Sequence, residues 1–117
     1  MKIALEVRDW LFIDATIDNT VAIAAQKADE PTAEQGLAVR ETGWAAARRD
    51  PRVDQGWAGW PPADDDLAID LPAESWRFVI GQLRRWDQVD ALVNPRGKED
   101  QESRFLALAG MLENHSS

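Results

Sequence analysis

The chain has no cysteine and no tyrosine, a single histidine, four serines and three lysines among its 117 residues. Without cysteine there is no disulfide, no thiolate nucleophile and no thiolate metal site, and nothing calls for an oxidising compartment. The one histidine, His115, falls beyond the end of the last predicted helix, where chains fray, so a histidine general base is not expected. None of Ser75, Ser103, Ser116 and Ser117 stands in a G-x-S-x-G turn, and no base is at hand to activate one. Neither G-x-G-x-x-G nor G-x-x-x-x-G-K-[ST] occurs, which removes the usual backbone cradles for nucleotide phosphates. No apolar run approaches the roughly 20 residues of a membrane helix, and the opening Met1-Lys2-Ile3-Ala4-Leu5-Glu6 sets an acid where a secretory leader needs apolar residues. The expectation is a cytoplasmic chain with no membrane segment, no cofactor, no metal and no enzymatic activity.

Positive charge is also scarce. Thirteen basic residues face 21 acidic ones, a net charge of −8. Direct binding to a nucleic-acid backbone or an anionic membrane needs clustered positive charge and is not expected, whereas a protein partner with a basic surface is electrostatically permitted. The excess is uneven: residues 1–49 carry −2, residues 50–66 carry −4 and residues 67–117 carry −2. A surface that imitates DNA over the whole protein is therefore not indicated.

What is present is a pattern that occurs twice. At an offset of 66 residues Ile3 matches Ile69, Leu5 matches Leu71, Trp10 matches Trp76 and Phe12 matches Phe78, giving I-x-L-x4-W-x-F in each half. Each half opens with strand-like alternation, Ile3, Leu5 and Val7 against Lys2, Glu6 and Arg8, then Leu67, Ile69 and Leu71 against Asp70. Helical spacing follows. Trp10, Ile13, Ile17, Val21, Ala24 and Ala28 form the first stripe, with Asp14 and Asp18 on another face; Trp76, Val79, Ile80, Leu83, Trp86 and Val93 form the second, led in by Pro72 and Glu74 and stopped by Asn94-Pro95-Arg96-Gly97.

A second helix is predicted in each half. Thr32 and Gln35 have the spacing of a capping box, ahead of a helix that carries Leu37 and Trp44 on one face and reaches about Arg49. The last helix, from about Glu99 to Glu113, shows Phe105, Leu108, Ala109 and Leu112 at core spacing, with Asn114 to Ser117 fraying. The predicted architecture is one α+β domain of two tandem strand-helix-helix repeats, 1–49 and 67–117. Their antiparallel strands pair about a pseudo-twofold axis, with four helices on one face. Such a sheet keeps an open edge, so a homodimer is expected.

The segment 50–66 that joins the halves is rich in Trp, Pro and Asp. Loops of this length without structure of their own are uncommon in compact domains and usually functional or disordered. Trp10, Trp44, Trp76 and Trp86 sit on helical stripes and are expected in the core, whereas Trp57 and Trp60 either fold back as plugs or stand out as anchors for a partner. Asp64, Asp65 and Asp66, with Asp70 nearby, have oxygen ligands for a divalent cation but lack the glycine and closing glutamate of an EF-hand loop; an acidic solvated turn is the simpler account. Arg48-Arg49 and Arg84-Arg85 read as charged helix ends and faces.

Three readings of function follow. The first is a non-enzymatic binding or regulatory protein acting by protein contact through Trp57, Trp60, Asp64, Asp65 and Asp66; its narrow form is a phage or mobile-element inhibitor of host nucleic-acid-binding machinery, as anti-CRISPR proteins are. The second is an assembly protein that homo-oligomerises through a sheet edge. The third is a carboxylate-dependent enzyme on a sugar or small polar substrate, since paired acids suffice for glycoside hydrolysis.

Overall fold

The structure, a computed structural model, describes residues 1–93 and 103–116. Along the chain come β1 (Lys2–Glu6), α1 (Val7–Gln26), α2 (Glu30–Arg48), β2 (Asp66–Asp70), α3 (Ala73–Val93) and α4 (Arg104–Ser116). The fold is α+β. Its two strands pair antiparallel with Lys2 opposite Asp70, Ile3 opposite Ile69 and Leu5 opposite Leu67. The predicted alternation holds: Ile3, Leu5, Leu67 and Ile69 are buried under the helices, while Lys2, Ala4, Asp66, Ala68 and Asp70 face solvent.

Val7, expected in the strand, is instead the first residue of α1. It belongs to both periods, two residues after Leu5 and three before Trp10, so strand and helix join with no residue between them. Its N–H still donates to the Asp65 carbonyl at 2.8 Å, which carries the pairing to the helix start. Along α1, Val7, Trp10, Ile13, Thr16, Ile17, Thr20 and Ala24 are buried. Ala28, expected on this stripe, lies past the helix with φ of 57°, where the chain turns towards α2.

The cap of α2 is Asp29, whose side chain accepts from the Thr32 N–H at 3.3 Å; Pro31 fills the first turn. The predicted capping box is thus displaced by three residues, with Thr32 receiving the cap instead of supplying it. The buried face of α2 consists of Gly36, Val39, Gly43, Ala46 and Ala47. Leu37 and Trp44 do share a face, but it is the outer one: Leu37 is 43% and Trp44 37% exposed. Small residues win the interface because α1 presents large ones; Gly36 backs onto Ile17 and Val21, and Gly43 onto Trp10.

In α3, Trp76, Val79, Ile80 and Leu83 are buried as predicted, and the Trp76 indole donates to the Met1 carbonyl at 2.8 Å. Val93 is exposed, contrary to expectation, as is Leu92. A polar seam joins α1 to α3: Trp86 Nε1 donates to Thr20 Oγ1 at 2.9 Å, and that hydroxyl lies 3.0 Å from Gln82 Oε1. Leu108, Ala109 and Leu112 of α4 complete the core, while Phe105 meets Phe12 edge-on at 4.8 Å. Ser103 caps α4 by accepting from the Leu106 N–H at 3.1 Å, and its own hydroxyl donates to Asp87. Asn114 and His115, expected to fray, remain helical, because α4 continues to Ser116. The stop signal at 94–97 and the helix start at 99–102 lie outside the described residues.

Candidate functional site

The segment after α2 has neither helix nor strand until β2, yet it is closely tied by its own backbone. Asp50 Oδ1 accepts from the Arg52 N–H at 2.7 Å, and turns follow through Val53 to Asp50 and Gln55 to Arg52. The Gly56 N–H then donates to the Trp60 carbonyl at 2.8 Å and the Trp60 N–H to the Trp57 carbonyl at 3.1 Å, closing a compact loop. Ala58 and Gly59 both have positive φ, 54° and 82°, within this closure. A Cβ on Gly56 would fall 2.2 Å from the Pro61 carbonyl oxygen, so only glycine allows the loop to close on the buried Pro61. Beyond it, the Arg8 N–H donates to the Ala63 carbonyl at 3.0 Å, anchoring the return to the start of α1.

On this platform the two tryptophans part company. Trp60 is half-buried and packs against the core, whereas Trp57 is 78% exposed. Trp60 also faces the outer side of α2: Trp44, Ala47, Arg48, Ala58, Gly59 and Trp60 line a cleft of about 220 Å³. This cleft offers two indoles, small residues and one guanidinium, with no acid or hydroxyl among the described residues on its walls. It suits an apolar or planar group and holds no acid–base pair.

Trp44 is also held by a cation. The Arg40 guanidinium lies 5.0 Å over its ring and is itself held by Asp14, at 3.0 and 3.3 Å, and by Asp18 at 2.9 Å. The hydrogen bond that Arg40 donates to Asp14, with both aspartate charges, raises the pKa of Arg40 against the opposing effect of its partial burial. A cation stacked on one face of Trp44 thus stays charged at any working pH.

The acidic residues occupy other positions. Asp64 is exposed, and Asp65 is half-buried beside Arg52 at 3.5 Å. Asp65 keeps its proton to higher pH than an ordinary carboxyl, chiefly through a hydrogen bond with Asp50 and next through desolvation, while Arg52 pulls the other way. Asp66 opens β2 on the solvent face and, with Lys2, Arg49, Asp50 and Asp70, borders a separate groove of about 500 Å³. The two hollows flank the last turns of α2: the groove uses Ala46 and Arg49, the cleft Ala47 and Arg48. Of the five predicted site residues, Trp60 is thus joined to Trp44 in the cleft, while Asp66 belongs to a different hollow.

Sequence reasoning missed Trp44, Arg40 and Arg48 as members of this surface. The available signal was Gly36 and Gly43, seven residues apart and followed by Ala46-Ala47, which marks the inner face of α2 by small size. Among the described residues no group of three or more His, Asp or Glu is placed to hold a metal ion, and no helix is long and apolar enough to cross a membrane. Compared with protein-family models, with curated proteins and with solved structures, the chain finds no match.

Proposed function

We propose that this is a non-enzymatic binding or regulatory protein that acts by contact with another protein through its tryptophan face. The observation that carries the reading is Trp57, 78% exposed on a loop closed by its own hydrogen bonds and bordered by the Trp44–Trp60 cleft. An indole held out in water forgoes the burial its large apolar surface favours, and it is recovered when a partner covers it. Tryptophan and arginine dominate the energetic centres of protein interfaces, and a pre-ordered loop loses little entropy on binding. Net charge of −8 favours a partner with basic groups around an apolar pocket, met in the cytoplasm.

The test is affinity capture from cells in which the protein acts, with the unmodified chain beside Trp57→Ala and Trp44→Ala. Capture of one stoichiometric protein, lost in both folded variants, supports the reading; capture unaffected by either variant overturns it. The narrow form, inhibition of host nucleic-acid-binding machinery, rests on the net charge alone and is tested by whether the captured protein is a nucleic-acid-binding one and loses its nucleic acid on addition of the chain.

We also propose that the chain is a duplicated strand-helix-helix unit. In support, Ile3 pairs with its own equivalent Ile69, the one position where an antiparallel ladder between the two units places equivalents opposite each other, and α1 and α3 begin at Val7 and Ala73, again 66 apart.

A further inference from the structure

We propose that a second copy of this chain docks on the outer edge of β1, antiparallel with Ala4 opposite Ala4, to give a continuous four-stranded sheet in the order β2-β1-β1-β2. The ladder between β1 and β2 is bracketed by the bonds from Leu71 N–H to the Met1 carbonyl and from Val7 N–H to the Asp65 carbonyl. In an antiparallel pair these groups alternate sides, so the odd-numbered residues of β1 turn theirs towards β2. Ala4 therefore turns its N–H and C=O outward, and Lys2 and Glu6 flank it on the same solvent-facing row. An edge of unpaired backbone groups is a template for a further strand.

Charge decides which edge is used and in what register. With Ala4 opposite Ala4 of the second copy, Lys2 stands opposite Glu6 and Glu6 opposite Lys2, at the separation where opposite charges on neighbouring strands attract. Sliding the pairing by two residues sets Lys2 opposite Ala4 and loses both pairs. The same register sets Ile3 opposite Leu5, so the apolar face of the sheet continues across the junction. Neither group makes a close ion pair within one chain: among the described residues Lys2, although opposite Asp70, has no carboxylate within 4 Å, and Glu6 reaches only Arg8, at 3.9 Å. The outer edge of β2 has the opposite character. Pairing of that edge with itself about Ala68 would oppose Asp66 to Asp70 twice, and α2 already packs beside β2.

The experiment is sedimentation equilibrium over a wide concentration range on the unmodified chain, on Lys2→Glu, on Glu6→Lys, on the double variant K2E/E6K, and on an equimolar mixture of the two single variants. The unmodified chain is expected to dimerise. Each single variant sets like charges opposite each other twice and weakens self-association by roughly tenfold or more. In the double variant the charges are exchanged but still complementary, so the dimer returns. In the mixture one chain carries two carboxylates and the other two ammonium groups in this row, so a heterodimer forms from two chains that do not self-associate. Within the monomer, Glu6→Lys gives up the 3.9 Å contact with Arg8 but sets a base opposite Asp66, and a urea midpoint close to that of the unmodified chain separates its loss of dimer from a weakened fold. A chain that stays monomeric at all concentrations, a dimer indifferent to both single variants, or failure of the double variant and the mixture to restore it overturns the proposal.

Discussion

Gly43 of α2 lies so close to the indole of Trp10 in α1 that a Cβ built on the glycine would fall 2.0 Å from Trp10 Nε1. Trp10 is fully buried, and among the described residues its Nε1 has no hydrogen-bond partner. The close approach therefore gains dispersion contact over a large ring at the cost of one unsatisfied donor. It also rotates α2 so that Trp44, the next residue, points out towards the cleft.

Gly43→Ala is expected to destabilise the fold by about 1–3 kcal/mol, because a fully buried indole has no room to yield. Gly81→Ala is its control. A Cβ at Gly81 meets nothing within 4 Å in the exposed interior of α3, so alanine should stabilise by roughly 0.5–1 kcal/mol through helix propensity. Urea denaturation of both variants checks the opposite signs.

Trp57→Ala and Trp60→Ala should separate binding from folding. Truncating Trp57, 78% exposed, should change the urea midpoint by less than about 0.5 kcal/mol in stability terms. Truncating Trp60, half-buried against the core, should cost about 2–3 kcal/mol, below the roughly 3–5 kcal/mol of a fully buried aromatic. Equal losses for the two would mean that the exposed indole supports the fold.

The Thr20 hydroxyl accepts from Trp86 Nε1 and sits within hydrogen-bond distance of both Gln82 Oε1 and the Thr16 carbonyl, although it has one proton to give. Thr20→Val keeps the shape and leaves the Trp86 donor and the Gln82 oxygen without this partner. A loss of about 1–3 kcal/mol in thermal or urea unfolding is expected.

Asp65 sets a pH dependence of definite sign. Its folded-state pKa lies above the ordinary value of 3.8, chiefly because of Asp50. A raised carboxyl pKa contributes stability that is fully present below the unfolded value and is lost as pH rises through the folded one. The stability of the unmodified chain minus that of Asp65→Asn should therefore fall as pH rises from below 3.8 towards neutral, measured by urea unfolding across that range. A difference that grows over the same interval would contradict the Asp50–Asp65 hydrogen bond.

Much of the fold was legible in local pattern. Ile3 and Leu5, and Leu67 and Ile69, face the core because a period of two has only two faces and one is polar. Trp10 and Trp76 are buried because they lie on stripes with branched apolar neighbours at helical spacing. The ends were less legible. The Thr32 capping box and the Asp29 cap are both allowed by local rules, and Pro31 in the first turn decides between them. The site was legible only in part: Trp57 and Trp60 stood out because no stripe claimed them, but their separation into one exposed and one half-buried indole depends on how the loop closes at Gly56.

By itself the sequence determined the α+β class, the two strands, the four helical segments, the scarcity of groups for nucleophilic or thiolate chemistry, and the acidity of the joining segment. These follow from residue type and short-range periodicity, which act within a few residues of the chain. Only the tertiary structure decided which face of α2 is buried, that Trp44 therefore meets Trp60 across a cleft, and that Asp14 and Asp18 hold Arg40 against that tryptophan. The reason is physical: a helix carrying both large apolar and small residues can bury either face, and the choice is made by the partner. Here α1 offers bulky Trp10, Ile17 and Val21, against which glycine packs more closely than tryptophan can.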